Sequence, residues 1–259
     1  PTQLGALVVR EAVARAGVKP EQVGAVVFGH VINTEPKDMY LSRVAAIGGG
    51  LTQDVPAMNV NRLCGSGLQA IVSAAQSVML GDTDVAIGGG AESMSRGPYI
   101  VPSARWGARM GDFKTLDMMV GALHDPFDVI HMGVTAENVA AKFGITRQDQ
   151  DGLALESHRR ASAAAKTGHF KGQIVPVELK SRKGTVLFDT DEHIRHDATM
   201  DDLAKLKPVF QKENGTVTAG NASGINDAAS AGVLARTSAP PAPSAADLRL
   251  PQSLAARRV

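Results

Sequence analysis

Asn59-Val-Asn-Arg-Leu-Cys-Gly-Ser-Gly-Leu-Gln-Ala-Ile-Val-Ser-Ala-Ala-Gln-Ser-Val-Met-Leu-Gly81 places the chain's single cysteine, Cys64, where a short apolar run gives way to a helical pattern. Just before it, Ala57, Met58, Val60 and Leu63 read as a short buried strand. After it, Leu68, Ile71, Val72, Ala75, Val78 and Met79 recur at helical spacing. Cys64 is therefore expected at a helix N-terminus, where unpaired backbone N–H groups and the positive end of the helix dipole favour thiolate over thiol. The thiolate is the nucleophilic form. Gly65 and Gly67 permit a tight turn and a close approach of substrate to backbone. A lone cysteine can equally be an inert small hydrophobe; its position, after a strand and before a helix, is what favours chemistry. Hydrolases use the same device as a nucleophile elbow, although Gly65-Ser66-Gly67 fits that five-residue pattern poorly.

Composition narrows the function classes. A chain of 259 residues suffices for one large or two small domains. Lys and Arg number 27 against 26 Asp and Glu, a balance that gives no support for a nucleic-acid or membrane-surface partner. One cysteine excludes an internal disulfide framework and a paired-cysteine metal site. Apolar runs are broken by Ser, Gln or Gly short of the ~20 residues that span a bilayer, and no charged-then-apolar signal segment opens the chain. The expectation is a soluble, cytoplasmic protein. Because the first residue is Pro1 and not Met, the start is expected to be missing or removed.

Along the chain, Thr2 is a plausible N-cap for a helix with Leu4, Leu7, Val8, Ala12 and Val13 on one face, ending near Gly17. Residues 23–31 form a continuous apolar run of the kind found in strands buried on both faces. A helix over residues 42–47 stops at Gly48-Gly-Gly50. After the Cys64 helix, Asp82-Thr-Asp84 turns the chain into a strand over residues 85–94. Alternating helix and strand joined by short Gly/Asp turns predicts an α/β fold with a parallel sheet. Gly88-Gly-Gly90 lacks the helix-opening glycine pattern of a dinucleotide site and reads as close packing behind the nucleophile.

From Ser95 to about Thr216 charge rises and most of the aromatics appear, so this stretch reads as a functional insertion, a lid or binding lobe. Within it, Thr135-Ala-Glu-Asn138 is expected to cap a helix to Phe143, and Thr146-Arg-Gln-Asp149 a longer one to Lys166. Short strands are expected over residues 173–179 and 184–188. Residues 228–234 resemble one more core strand, and residues 237–259, rich in Ala, Pro, Ser and Arg, have the composition of a linker or disordered tail.

Five segments then agree in order and spacing: Asn61-Arg-Leu-Cys-Gly-Ser-Gly67, Gly88-Gly-Gly-Ala-Glu-Ser-Met-Ser95, His131-Met-Gly-Val-Thr-Ala-Glu-Asn138, Asp191-Glu-His-Ile-Arg-His196 and Ala219-Gly-Asn-Ala-Ser-Gly-Ile-Asn-Asp227. Together they resemble the thiolase family, most nearly the bacterial biosynthetic β-ketothiolases (acetyl-CoA C-acyltransferases). The resemblance runs from Pro1 to about Leu234. It implies a thiolase-like N-terminal domain, layered α/β/α with a mixed, mostly parallel sheet, over residues 1–94 and 217–236. Residues 95–216 would be the inserted CoA-binding loop domain, and residues 237–259 a non-native-looking tail.

The resemblance further implies that acyl-CoA acylates Cys64 and that a second acetyl-CoA, deprotonated at its methyl carbon, attacks the acyl-enzyme in a Claisen condensation. The reverse reaction is thiolysis of a 3-ketoacyl-CoA. The Cys64 backbone N–H would help hold the oxyanion. By motif match, Leu123, His131 and Met132 would lie against the pantetheine and acyl part, Arg195 near the adenine and phosphate end, Leu206 and Phe210 along the nucleotide, and Ala219 and Ser223 beside the thioester. Each has a plainer reading: His131 as a satisfied core histidine, Met132 and Phe210 as core, residues 191–196 as a solvated face, and Ser223 as turn chemistry. Coenzyme A is a substrate, with no further cofactor and no metal implied. The partners are acyl-CoA and CoA, with no nucleic acid and no membrane, in a parent that is a homodimer or homotetramer of fatty-acid or polyhydroxyalkanoate metabolism.

Thiolases consist of two similar halves. The second carries an Asn-Glu-Ala-Phe stretch, a Gly-His-Pro histidine that deprotonates the nucleophile, and a Cys-x-Gly cysteine that serves as acid and base for the second substrate. None of these occurs here, nor does the strand expected before Thr2. The expectation is a truncated or frame-shifted thiolase reading with its second half missing and little activity alone. Competing functions are a related condensing enzyme of fatty-acid or polyketide synthesis and a non-catalytic acyl-CoA-binding remnant. A cysteine hydrolase lacks an identifiable partner histidine and acid.

Overall fold

A computed structural model describes residues 1–107 and 109–236; the expected tail over residues 237–259 lies outside the described residues. The chain divides into two compact units, one of residues 1–98 with the strand that follows residue 226, the other Tyr99–Ile225.

The first unit runs α1 (Thr2–Ala16), β1 (Ala25–Gly29), α2 (Leu41–Gly48), β2 (Ala57–Val60), α3 (Ser66–Leu80), β3 (Val85–Ser93) and, after the insertion, the strand Asp227–Ala235, with 3-10 turns at Pro20–Gln22, Pro36–Tyr40 and Met94–Arg96. β1 lies between β2 and β3 and is parallel to both, which is why its sequence is an unbroken apolar run. The strand Asp227–Ala235 pairs antiparallel with β3, from Val85↔Ala235 to Ser93↔Asp227. Its direction follows from connectivity. The chain leaves β3 at its C-terminal end for the insertion and re-enters the sheet at that same end, so it must run back beside β3. Asp227 fastens the crossing point by accepting from the Ser95 backbone N–H at 2.9 Å and the Ser95 hydroxyl at 2.5 Å.

Strand alternation sorts the core onto two faces. Val26, Phe28, Ile87 and Ala91 pack with Val9 and Val13 of α1 and Leu41, Ala45 and Ala46 of α2; Val27 and Ala86 pack with Ala70, Ala74 and Val78 of α3. The result is the layered α/β/α arrangement. Two helix faces differ from the sequence expectation. In α1 the inward line is Thr2, Gly5, Val9, Val13 and Ala16, and Pro1, not Thr2, is the N-cap. In α3 it is Ser66, Ala70, Ala74 and Val78, while Leu68 is 70% and Met79 82% exposed. In both helices small residues face inward because the backbones come close. A Cβ on Gly5 would stand 2.9 Å from Ala45, one on Gly88 2.9 Å from the Ile71 Cα, and one on Gly29 2.6 Å from the Ser66 carbonyl carbon. The Gly88 run is thus a packing surface. By length and composition Leu63–Leu80 could cross a bilayer; here it covers one face of the sheet.

The second unit contains β4 (Tyr99–Ile100) paired with β5 (Leu116–Asp117), then α4 (Met118–Ala122), α5 (Met132–Phe143), α6 (Arg147–Lys166), a hairpin of β6 (Val177–Ser181) with β7 (Gly184–Phe188), and α7 (Met200–Ala204); the returning strand of the first unit is β8. The Thr146 capping box starts α6, with the hydroxyl and Asp149 bonding each other's backbone N–H. α5 begins three residues before the expected cap at Thr135. The His131 ring takes the N-cap role, its Nδ1 accepting from the Gly133 N–H at 3.0 Å.

At the carboxyl end of β1 the chain carries a buried histidine. His30 Nδ1 lies 2.9 Å from the Ala91 carbonyl and 3.2 Å from Glu92 Oε1, and Glu92 also accepts from the Val31 and Ile32 N–H groups. Burial on its own would depress the His30 pKa. The hydrogen bonds to Glu92 and to the Ala91 carbonyl, with the charges of Glu92 and Asp38, outweigh it and hold the pKa above the ordinary 6.5. A histidine raised in the folded state stabilises fully below the unfolded pKa of about 6.5, and that stabilisation is lost as pH rises through the folded value. Wild-type unfolding stability should therefore fall more steeply than that of Glu92→Gln as pH is raised through and above 6.5; parallel profiles would contradict the pairing. Gly29→Ala should cost about 1–3 kcal/mol in urea unfolding, since its methyl meets backbone that cannot swing aside. A variant as stable as the parent would rule out the close approach.

Candidate active site

Cys64 is exposed and stands one residue before Gly65, the N-cap of α3. The expectation of a nucleophile at a helix start is met in position, but Leu63 does not end a strand. β2 stops at Val60, and Leu63 adopts φ 47°, a left-handed conformation that costs a branched side chain about 1–2 kcal/mol. Two side chains hold it there. Asn61 Oδ1 accepts from the Leu63 N–H at 3.0 Å. Ser66, only 5% exposed, accepts from the Arg62 N–H at 2.8 Å and donates its hydroxyl to the Leu63 carbonyl at 2.6 Å. The Gly65 and Ser66 N–H groups close the turn onto the carbonyls of Arg62 and Leu63. A strained residue immediately before an exposed thiol, fixed from both sides, displays Cys64 at the carboxyl end of the parallel strands. Strain of this sort is characteristic of functional sites.

His30 Nδ1 is engaged by the Ala91 carbonyl and Glu92, and its Nε2 is buried without a hydrogen-bond partner.

Within the second unit, several of the residues singled out in the sequence meet. The His131 ring stacks on Phe210, with centroids 4.7 Å apart and planes 24° off parallel, and meets His124 edge-on at 5.2 Å. The Phe210 ring fills the space above Gly133 so closely that a Cβ there would stand 2.0 Å from it. Leu123 caps the C-terminus of α4, and its carbonyl accepts from the Met132 N–H at 2.8 Å. Burial, then the neighbouring His124, lowers the His131 pKa, so the ring is neutral near pH 7. Because Nδ1 accepts from Gly133, the proton sits on Nε2, and that edge is a hydrogen-bond donor.

Leu206 lies beside Gly220, where a Cβ would come within 2.5 Å of its Cδ1, bringing it next to the segment that bears Ala219 and Ser223, both exposed. Arg195 is exposed, and its backbone N–H donates to His158 Nδ1 of α6 at 3.2 Å. Among the described residues no cluster of three or more His, Cys, Asp or Glu is arranged to hold a metal. Sequence reading missed Asn61 and Ser66; the signal was there in a serine two residues past the cysteine. Ser66→Ala should cost about 1–3 kcal/mol, by stranding the Arg62 N–H, and should slow the reaction of Cys64 with iodoacetamide. Unchanged unfolding and unchanged alkylation would show that Ser66 does not hold the turn.

Residues 1–238 match the family described as thiolase, N-terminal domain. The chain is 73% identical over 234 residues to the beta-ketothiolase BktB of Cupriavidus necator, covering 90% of this chain and 59% of that protein. The crystal structure of the Bacillus anthracis acetyl-CoA acetyltransferase superposes with a TM-score of 0.84 at 44% identity, covering 90% of this chain and 58% of that one. A human mitochondrial 3-ketoacyl-CoA thiolase in complex with CoA superposes with a TM-score of 0.86 at 39% identity, covering 91% and 59%. The chain thus spans about three-fifths of the length of the relatives it matches. Through its N-terminal domain, the chain belongs to the thiolase family.

Proposed function

We propose that this chain carries the acyl-accepting part of a β-ketothiolase. The carrying observation is the exposed Cys64 thiol, set one residue before the N-cap of a 15-residue helix on a turn fixed by Asn61 and Ser66. The Cys64 Sγ attacks the thioester carbonyl of an acyl-CoA, and the carbonyl oxygen becomes an oxyanion that the Cys64 backbone N–H helps hold. Expulsion of the CoA thiolate, which takes up a proton, leaves an S-acyl cysteine. One thioester replaces another, so the step is nearly balanced and runs either way. In the whole protein a second acetyl-CoA, deprotonated at its methyl carbon, would attack the acyl group to give a 3-ketoacyl-CoA and return the thiolate.

In this reading Tyr99–Ile225 binds coenzyme A. Leu123, Met132 and the neutral His131, whose Nε2–H can donate to a carbonyl, line the pantetheine and acyl part, and Leu206 and Phe210 lie along the nucleotide. Arg195 supplies a fixed cation for the phosphates, and Ala219 and Ser223 flank the thioester. CoA is the only small molecule the scheme needs. Assembly of the whole protein as a homodimer or homotetramer in the cytoplasm, and a place in fatty-acid or polyhydroxyalkanoate metabolism, belong to the same reading. The names of the relatives support the reaction class. This chain's only cysteine is Cys64, so nothing in it matches the second cysteine that the condensation step requires.

Incubation with acetyl-CoA followed by peptide mass spectrometry should therefore find acetyl on Cys64 and none in Cys64→Ala, while acetoacetyl-CoA and CoA give no thiolysis turnover. Binding of acetyl-CoA without acetylation would make the chain a non-catalytic binder. Clear turnover would refute the limit to a half-reaction.

A further inference from the structure

We propose that Glu137 is a positioning residue of the acyl-CoA site, holding the segment that bears Ala219 and Ser223, and the Phe210 ring, in register with His131. The inference rests on the reading of Tyr99–Ile225 as the CoA-binding unit.

Glu137 lies in the middle of α5, six residues beyond the His131 N-cap, and is 3% exposed. No cation faces its carboxylate in the hydrogen bonds it makes; three donors of one short segment do. Oε1 accepts from the Thr216 and Val217 N–H groups at 2.9 Å each, and Oε2 accepts from the Thr216 N–H at 2.9 Å and the Thr216 hydroxyl at 2.7 Å. Burial raises the carboxyl pKa, but the Thr216 hydroxyl and the Val217 and Thr216 N–H groups outweigh it and keep the group ionised. With both oxygens filled and no access to solvent, Glu137 can neither touch substrate nor move a proton. Its action is on other residues.

Those residues form a closed circuit. Val217, gripped by Glu137, accepts from the Val209 N–H at 3.0 Å; the next residue, Phe210, stacks on His131, and His131 caps the helix that bears Glu137. In the other direction the segment is braced by Asn221. Its Oδ1 accepts from the Thr218 N–H at 2.7 Å, and its Nδ2 donates to the Thr216 carbonyl and to Asp151 Oδ1, both at 2.9 Å. Asp151 pairs with Arg147 at 2.7 Å, and Arg147 donates to the carbonyls of Leu203 and Leu206. Of the residues of this unit assigned to the ligand, Phe210 follows the Val209 that bonds Val217, His131 stacks on Phe210, and Leu206 is reached through Asn221, Asp151 and Arg147. A carboxylate accepts from all three donors; a glutamine would turn its amide N–H₂ toward the Thr216 N–H that Oε2 accepts from and so lose that bond.

The test uses the whole chain and coenzyme A itself as probe. Titration calorimetry with CoA, at a temperature where all variants are fully folded, should show Glu137→Gln binding about tenfold more weakly. Thr216→Val, which keeps both backbone donors, should lose a few-fold, and Thr216→Ser should restore wild-type binding. Cys64 should react with iodoacetamide at the wild-type rate in all three, since that reaction reads the other unit. If Glu137→Gln does not fold, the Thr216 pair carries the test. Wild-type CoA affinity in folded Glu137→Gln, or in Thr216→Val, would overturn the proposal while leaving the CoA reading intact. Failure of the wild-type chain to bind CoA would overturn that reading and the inference with it.

Discussion

The close seating of α3 on the sheet governs what the first unit can do. Gly29 and Gly88 leave no room for a side chain between the strands and this helix, so Ser66 and the backbone around it lie directly on the carboxyl ends of the parallel strands. In open α/β sheets that end is where ligands bind. The helix start is thereby fixed in place, and Cys64 with it. The turn ahead of the helix pays in backbone strain at Leu63, which the buried Ser66 and Asn61 hold against relaxation. A thiol on a flexible loop would have the same chemistry without the orientation.

The second unit is organised on different physics. Among its described residues the buried apolar side chains are few, Ala140, Leu203 and Val217, while Glu137, Asp151, Ser162 and Thr218 are buried polar ones. Directional bonds take the place of a large core. Glu137 and Asp151 each gather backbone or side-chain donors from distant segments, and the burial cost of each carboxylate is met by those donors. Such a unit gains specificity of geometry. Large apolar residues stay exposed on β4–β5 and β6–β7 and also outside them, as at Trp106, Phe127 and Leu153.

Much of the first unit is legible in the sequence because its signals are local. The unbroken apolar run of β1, the glycine that ends α1 in a left-handed conformation, and the change of texture at the insertion all act within a few residues. So does the Thr146 capping box. The buried faces of α1 and α3 are less legible. Periodicity weighs hydrophobicity, and these helices bury their small residues where backbones nearly touch, leaving Leu68 and Met79 outside. The start of α5 was hidden because histidine is not a usual N-cap residue. At the site, Cys64 was readable from its setting, but Ser66 and Glu137 were not. Glu137 bonds a residue 79 positions away, and nothing at position 137 announces it.

By itself the sequence determined the α/β class, the family, and a cysteine placed at a helix start. The class and the helix start rest on residue chemistry and spacing over a single turn or strand, and the family on the order of five such local motifs along the chain. Only the tertiary structure decided which helix face is buried, that β8 runs against β3, that Leu63 is strained, and that a buried carboxylate ties residues 216–217 to α5. Each of these depends on backbone distances between segments far apart in the chain, and one-dimensional spacing does not carry those distances.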